Sequence, residues 1–194
     1  MHCHASERHR FLGVYLDKFP GALAGASGRF LHVAPEPCLA KRFREAFGGR
    51  YVTGDLFDPS ADLKMDVTDI PCPDGAFDLI YCGHVLEHVA DDRKAMREFH
   101  RVLGDAGCAI LTVPISGAKT VEDPSVRAPE DRERAFGQWD HVRSYGLDIQ
   151  DRLAQAGFSV QVVRVGDVAT ADEARRMGLT EASGELFVCT KPRR

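Results

Sequence analysis

Apolar positions along this chain switch repeatedly between a helical period and short continuous runs. Phe11, Leu12, Tyr15, Leu16 and Phe19 recur at helical spacing ahead of Pro20, which predicts an amphipathic helix within residues 1–20. Gly21 to Gly28 reads as loop, and Arg29 to Ala34 as a strand bounded by Gly28 and Pro35. Pro37 suits the first turn of a helix whose apolar face is Leu39, Phe43, Ala46 and Phe47, ended by Gly48-Gly49. Tyr51 to Gly54, Leu63 to Val67, Phe77 to Cys82 and Cys108 to Val113 read as further strands. Asp91 or Asp92 caps a helix carrying Ala95, Met96, Phe99, Val102 and Leu103, with Gly104 as its stop. Leu147, Leu153 and Ala154 mark a later helix ended by Gly157, and Ala171 to Met177 a short one. Phe158 to Val165 and Leu186 to Thr190 complete the strands.

Helices alternating with near-continuous apolar strands argue for a largely parallel sheet covered on both faces, in one domain spanning residues 1–194. In such a sheet a ligand lies beyond the carboxyl ends of the strands. Asp55, about 20 residues beyond the first strand, has the spacing of a carboxylate that accepts hydrogen bonds from ribose hydroxyls. Its plainer reading is a turn aspartate capping Leu56-Phe57. Asp66 and Val67 suit an adenine amino group and ring face, or equally a turn with Thr68. His84, Glu87 and His88 follow the fourth strand; His84 and His88 are candidates for acid–base work, or imidazoles lining a polar pocket mouth. Their H-x-x-x-H spacing is a weak metal signal, and no metal is expected.

Residues 114–145 are polar and lack periodicity, so a long functional loop overhanging the site is expected. It holds the sole tryptophan, Trp139, with Asp140, His141, Arg143 and Tyr145 close by. Asp140 orienting His141 would make a base; the plainer reading is a solvated loop anchored by Trp139.

Charge narrows the class. The net charge is −4 and no basic stripe is evident, against a nucleic-acid partner. No apolar run is long enough to span a bilayer and no secretory leader is evident, so a cytoplasmic protein is expected. The six cysteines show no C-x-x-C pair and read as thiols.

The ordered set Asp66-Val67-Thr68-Asp69-Ile70-Pro71, Phe77-Asp78-Leu79-Ile80, His84-Val85-Leu86-Glu87-His88-Val89, Arg101-Val102-Leu103 and Gly107 resembles the class I S-adenosylmethionine-dependent methyltransferases of small-molecule type. The resemblance implies a three-layer, Rossmann-like fold: a mostly parallel seven-stranded sheet with the last strand antiparallel, and S-adenosylmethionine across the strand ends. It assigns the cofactor to Ala34, Pro35, Glu36, Asp55, Leu56, Asp66, Val67 and Cys82. Catalysis falls to His84 and His141, and a small-molecule acceptor to His88, Trp139, Arg143 and Tyr145. The family's first motif, an acid followed by glycines spaced G-x-G, is altered here to His32-Val33-Ala34-Pro35-Glu36. Glu36 then either meets the cofactor's ammonium or blocks the pocket, which leaves a non-catalytic binding module as the alternative. A metal-dependent hydrolase built on His84, His88, Asp140 and His141 is a third reading. A nicotinamide enzyme is disfavoured, because no G-x-G-x-x-G follows the first strand. Residues 3–10 resemble the end of a small zinc ribbon, but only Cys3 matches, so no structural zinc is expected there.

Overall fold

A strand sends alternate side chains to opposite faces, so a strand covered on both sides is apolar at nearly every position. The central strands follow this rule, with His32 and Asp78 as polar exceptions. In β1 (Phe30–Val33), Leu31 and Val33 enter one buried cluster while Phe30 enters another. In β4 (Phe77–Gly83), Ile80 and Cys82 join the first and Leu79 and Tyr81 the second. The computed structural model describes residues 5–19 and 28–192. The loop expected at Gly21 and the cysteine of the ribbon-like N-terminus lie outside them.

The seven-stranded sheet adds β2 (Tyr51–Asp55), β3 (Leu63–Lys64), β5 (Leu103–Thr112), β9 (Ser159–Val163) and β10 (Leu186–Thr190), in the order β3-β2-β1-β4-β5-β10-β9. Every pairing from β3 through β5 is parallel, and β10 runs antiparallel to both β5 and β9. This is the expected α/β architecture, with its last strand reversed. The strand order turns back on itself between β1 and β4, which opens a crevice at their carboxyl ends.

One face carries α1 (Glu7–Lys18) and α2 (Pro37–Phe47), packed through Phe11, Leu12, Leu16, Leu39 and Phe43. The other carries α3 (Asp92–Val102) and α5 (Ile149–Gln155), through Met96, Phe99, Ile149 and Leu153. Asp91 caps α3 by accepting from the Lys94 N–H at 2.9 Å. Burying one such leucine or phenylalanine contributes about 1.5–3 kcal/mol, so these stripes dock helices too short to be stable alone. Among the described residues no helix is long and apolar enough to cross a membrane.

Four departures from the expected boundaries stand out. β3 stops at Lys64 because Asp66 bends the chain, accepting from the Thr68 N–H at 2.7 Å. β5 begins at Leu103, with Gly104 inside it, and a register shift between Phe77 and Leu79 absorbs the mismatch. β9 ends at Val163, where a short helix, α6 (Val165–Val168), takes over before α7 (Ala171–Met177). The fourth is the largest. Residues 114–145 are not a structureless loop. They hold β6 (Ile115–Gly117), β7 (Val121–Glu122) and helix α4 (Pro129–Phe136), and with β8 (Arg143–Gly146) they form a small sheet ordered β6-β8-β7. Strands β6 and β7 are too short and too exposed to show alternation, and only Phe136 of α4 is buried.

A buried ionic network ties this small sheet to α3. Arg143 and Arg152 grip Glu122, while Arg152 and the Tyr145 hydroxyl donate to Asp92 Oδ2 at 3.0 and 2.6 Å. The Arg152 hydrogen bond, opposed by partial burial and reinforced by Arg143, lowers the Glu122 carboxyl from 4.5 to about 2. A lowered carboxyl pKa stabilises the fold above its unfolded value, and that contribution disappears as pH falls through the folded value. The stability gap between wild type and Glu122→Gln is therefore expected to be open above about pH 5 and to close towards about pH 2. Urea midpoints measured across that range check it; a gap that does not change with pH contradicts it.

Candidate functional site

The crevice at the β1–β4 turning point is a cavity of about 710 Å³. Four strand ends build it. Val33 and Ala34 follow from β1; Gly54, Asp55, Leu56 and Phe57 from β2; Met65 to Thr68 from β3; His84 and Val85 from β4. His88 to Asp91 continue the wall, and Trp139 with Asp140 overhangs it from the small-sheet segment. Phe57, Trp139 and Leu56 are 88%, 60% and 41% exposed. Large apolar side chains left at a cavity mouth are out of place on a surface that meets only water. The sequence reading passed over Phe57; an aromatic side chain in the turn after a strand was the available signal.

Asp55 and Asp66 do double duty. Asp55 Oδ1 accepts from the N–H groups of Phe57 and Asp58 at 2.6 and 2.8 Å, so the turn reading holds for that oxygen. Those bonds fix the carboxylate while the residue lines the cavity. Asp66 is held in the same way by its bond from Thr68. Both acids face one cavity, together with Val67.

The altered first motif keeps the backbone that glycine normally supplies. Ala34 has φ 46° and His84 has φ 55°, both in the left-handed region. For a residue with a Cβ this costs roughly 1–2 kcal/mol. Ala34→Gly removes that strain but adds about 0.4–1 kcal/mol of unfolded-chain entropy, so a net gain of about 0.5–1 kcal/mol is expected. Chemical denaturation measures it, and a loss of stability would contradict the strain.

Glu36 does not fill the cavity. Its Oε2 lies 2.9 Å from His32 Nε2 and its Oε1 3.3 Å from His9 Nε2, pointing it towards α1. His32, fully buried on β1, is held at its other nitrogen by the Tyr51 hydroxyl at 2.7 Å. The carboxylate missing from the strand is thus returned to its end from the start of α2. Burial works against ionising Glu36, but the hydrogen bond and charge of His32, helped by His9, hold its carboxyl below the usual range.

Of the residues expected to hold cofactor, Ala34, Asp55, Leu56, Asp66 and Val67 line the cavity, and Pro35, Glu36 and Cys82 do not. Cys82 is 1% exposed and sits in the core on the Ile80 side, where burial pushes its thiol far up. Of the acceptor and catalytic candidates, His84, His88 and Trp139 line the cavity, and His141, Arg143 and Tyr145 do not. Arg143 is 4% exposed and its guanidinium is used up. Nη1 donates to the carbonyls of Leu86 and Val89, Nη2 to Ala90, and Nε to Glu122. Tyr145 is buried on Asp92. These two side chains hold the His84–Ala90 wall from behind.

That wall brings three groups together. The turn Leu86–His88 places Glu87 and His88 side by side, and His141 approaches from the other segment. The Val142 N–H donates to the Glu87 carbonyl at 2.9 Å and locks the two segments. The His88 and His141 rings meet edge to face at 4.7 Å. Glu87 Oε1 lies 3.3 Å from His84 Nδ1, and His88 Nδ1 lies 3.2 Å from Asp140 Oδ2.

Residues 19–111 match the family model described as a methyltransferase domain. Over 104 residues the chain is 34% identical to ajmaline N-methyltransferase of Rauvolfia serpentina, covering 53% of this chain and 35% of that protein. Over 127 residues it is 30% identical to the uncharacterized methyltransferase YcgJ of Bacillus subtilis, covering 60% of this chain and 50% of that one. The matched stretches thus span half or less of these curated relatives. The crystal structure of YcgJ superposes with a TM-score of 0.60 at 18% identity, covering 95% of this chain and 100% of that one. An S-adenosylmethionine-dependent methyltransferase from Mesorhizobium loti superposes with a TM-score of 0.58 at 17% identity, covering 89% and 96%. The chain thus has the fold of the S-adenosylmethionine-dependent methyltransferases, and its residues 19–111 match a methyltransferase domain.

Proposed function

We propose that the cavity binds S-adenosylmethionine and that the domain passes its methyl group to a small-molecule acceptor. The observation that carries this is the placement of Asp55, Asp66 and Val67 on one cavity that Glu36 leaves open. The donor set fits the cofactor. Asp55 offers acceptor oxygens for two ribose hydroxyls, and Asp66 with Val67 offers an acceptor and an apolar face for adenine. Ala34 keeps the left-handed turn that brings backbone close to the methionine portion, and His84 bounds the cavity at β4.

When bound, the cofactor supplies an electrophilic methyl on a sulfonium, and its transfer is an in-line displacement that demands alignment more than acid–base chemistry. Trp139, Asp140 and Phe57 at the mouth are suited to hold the acceptor and exclude water. His84 is the candidate base: its Nδ1 faces Glu87, which leaves Nε2 to take a proton from an acceptor hydroxyl or amine. His141, set back from the cavity, is not assigned that proton. A reducing, cytoplasmic setting suits the five described cysteines, which are all free thiols.

Calorimetric titration with S-adenosylmethionine and S-adenosylhomocysteine tests the reading. One saturable site for each is expected. A folded protein that binds neither would remove the cofactor and leave a binding module with an inherited fold.

A further inference from the structure

Imidazole and carboxylate each offer two atoms that can bind a metal. A built metal site commits one atom of each ligand to the protein and leaves the other for the ion. Glu87, His88 and His141 meet this description. One ligand atom of each lies within 4.8 Å of the others, and this is the sole such group of three among the described residues.

The supporting contacts are all present. Glu87 Oε1 faces His84 Nδ1 at 3.3 Å. His88 Nδ1 faces Asp140 Oδ2 at 3.2 Å. His141 Nδ1 faces the Phe136 carbonyl at 3.2 Å, an arrangement that places the ring proton there and a lone pair on Nε2. What remains is Nε2 of both imidazoles and Glu87 Oε2. Glu87 is 2% exposed, and its Oε2 is buried without a hydrogen-bond partner. A buried carboxylate oxygen with nothing to accept from is costly, and a cation relieves that cost. The scaffold is rigid as well: the Val142–Glu87 backbone bond and the Arg143 bonds to Leu86, Val89 and Ala90 hold both segments in place.

We infer that Glu87, His88 and His141 bind a divalent transition-metal ion, with zinc the best match for two imidazoles and one carboxylate. The main sequence expectation was no metal; its third reading already grouped His88 with His141, but with His84 and Asp140 in place of Glu87. Three protein ligands leave a coordination position open. His88 and Asp140 also line the cavity, so the ion borders it and the open position suits an oxygen or nitrogen donor of a small molecule. Ion binding itself does not depend on the cavity accepting S-adenosylmethionine.

The test uses the full chain stripped by a chelator and dialysed to equilibrium against zinc(II), with metal content read by elemental analysis. One zinc per chain is expected. Glu87→Gln, nearly isosteric, and His141→Ala are each expected to lower zinc affinity at least tenfold. Asp140→Asn, which loosens His88, is expected to lower it about ten- to hundredfold. Cobalt(II) added to the stripped wild type should give the visible bands of a low-coordinate site, a readout that needs no substitution. S-adenosylhomocysteine titrated into the stripped protein reports separately on the cavity. Folded wild type that takes up no zinc overturns the site. So does uptake unchanged in both Glu87→Gln and His141→Ala, which would move the ion to other histidines or cysteines such as His2, Cys3 and His4.

Discussion

Asp55→Ala is expected to weaken S-adenosylhomocysteine binding by about 2–4 kcal/mol, roughly thirty- to a thousandfold in Kd. The size follows from two hydroxyl groups donating to one ionised carboxylate, each such bond worth about 1.5–3 kcal/mol without full additivity. The two turn bonds use Oδ1 alone, from the Phe57 and Asp58 N–H groups, so Oδ2 keeps its accepting capacity. Asp55→Asn separates the contributions. It keeps an oxygen for the turn while replacing the other with a donor that meets hydroxyls poorly. A loss of about 1–2 kcal/mol is expected for Asn, with Phe57 and Asp58 undisturbed. Calorimetry on both variants decides; an affinity unchanged in Asp55→Ala would mean that the ribose is held elsewhere.

The strand-end rule made much of this site legible before any coordinates. Asp55, Asp66 with Val67, and His84 were picked at or near strand ends, Ala34 entered through the resemblance, and all five line the cavity. The sheet was legible for a related reason. Strands covered on both faces are apolar at nearly every position, and Leu186–Thr190 coincided with its expected bounds. Exposed structure carried no such signature. The strands β6 and β7 are edge pieces of a few residues that meet solvent, so neither period appears in them. Side-chain direction was the other gap. Arg143 and Tyr145 are two apart on β8 and share a face, with Ser144 between them on the other. That alternation placed both inward, yet their polarity suggested a ligand. Glu87 was given no role of its own, since only the folded chain brings His141 to it.

The cost of misreading Arg143 is measurable. Arg143→Ala is expected to destabilise the fold by about 3–5 kcal/mol, the usual penalty for breaking a buried, hydrogen-bonded charge network. Against a typical domain stability of about 5–15 kcal/mol this is a large share. The carbonyls of Val89 and Ala90 would lose the guanidinium donor, that of Leu86 would keep only the Val89 N–H and the Tyr145 hydroxyl, and Glu122 would keep only Arg152. Arg143→Lys should rescue little, because a single ammonium cannot fork to three carbonyls and a carboxylate at once. Since His88 to Asp91 form part of the cavity wall, ligand affinity should fall along with stability in both variants. An acceptor-binding arginine predicts the opposite pattern: unfolding unchanged and only the acceptor KM raised. Urea unfolding of Arg143→Lys therefore separates a residue that builds the wall from one that touches what lies within it. A loss below about 1 kcal/mol, the range of exposed ion pairs, would return Arg143 to the acceptor.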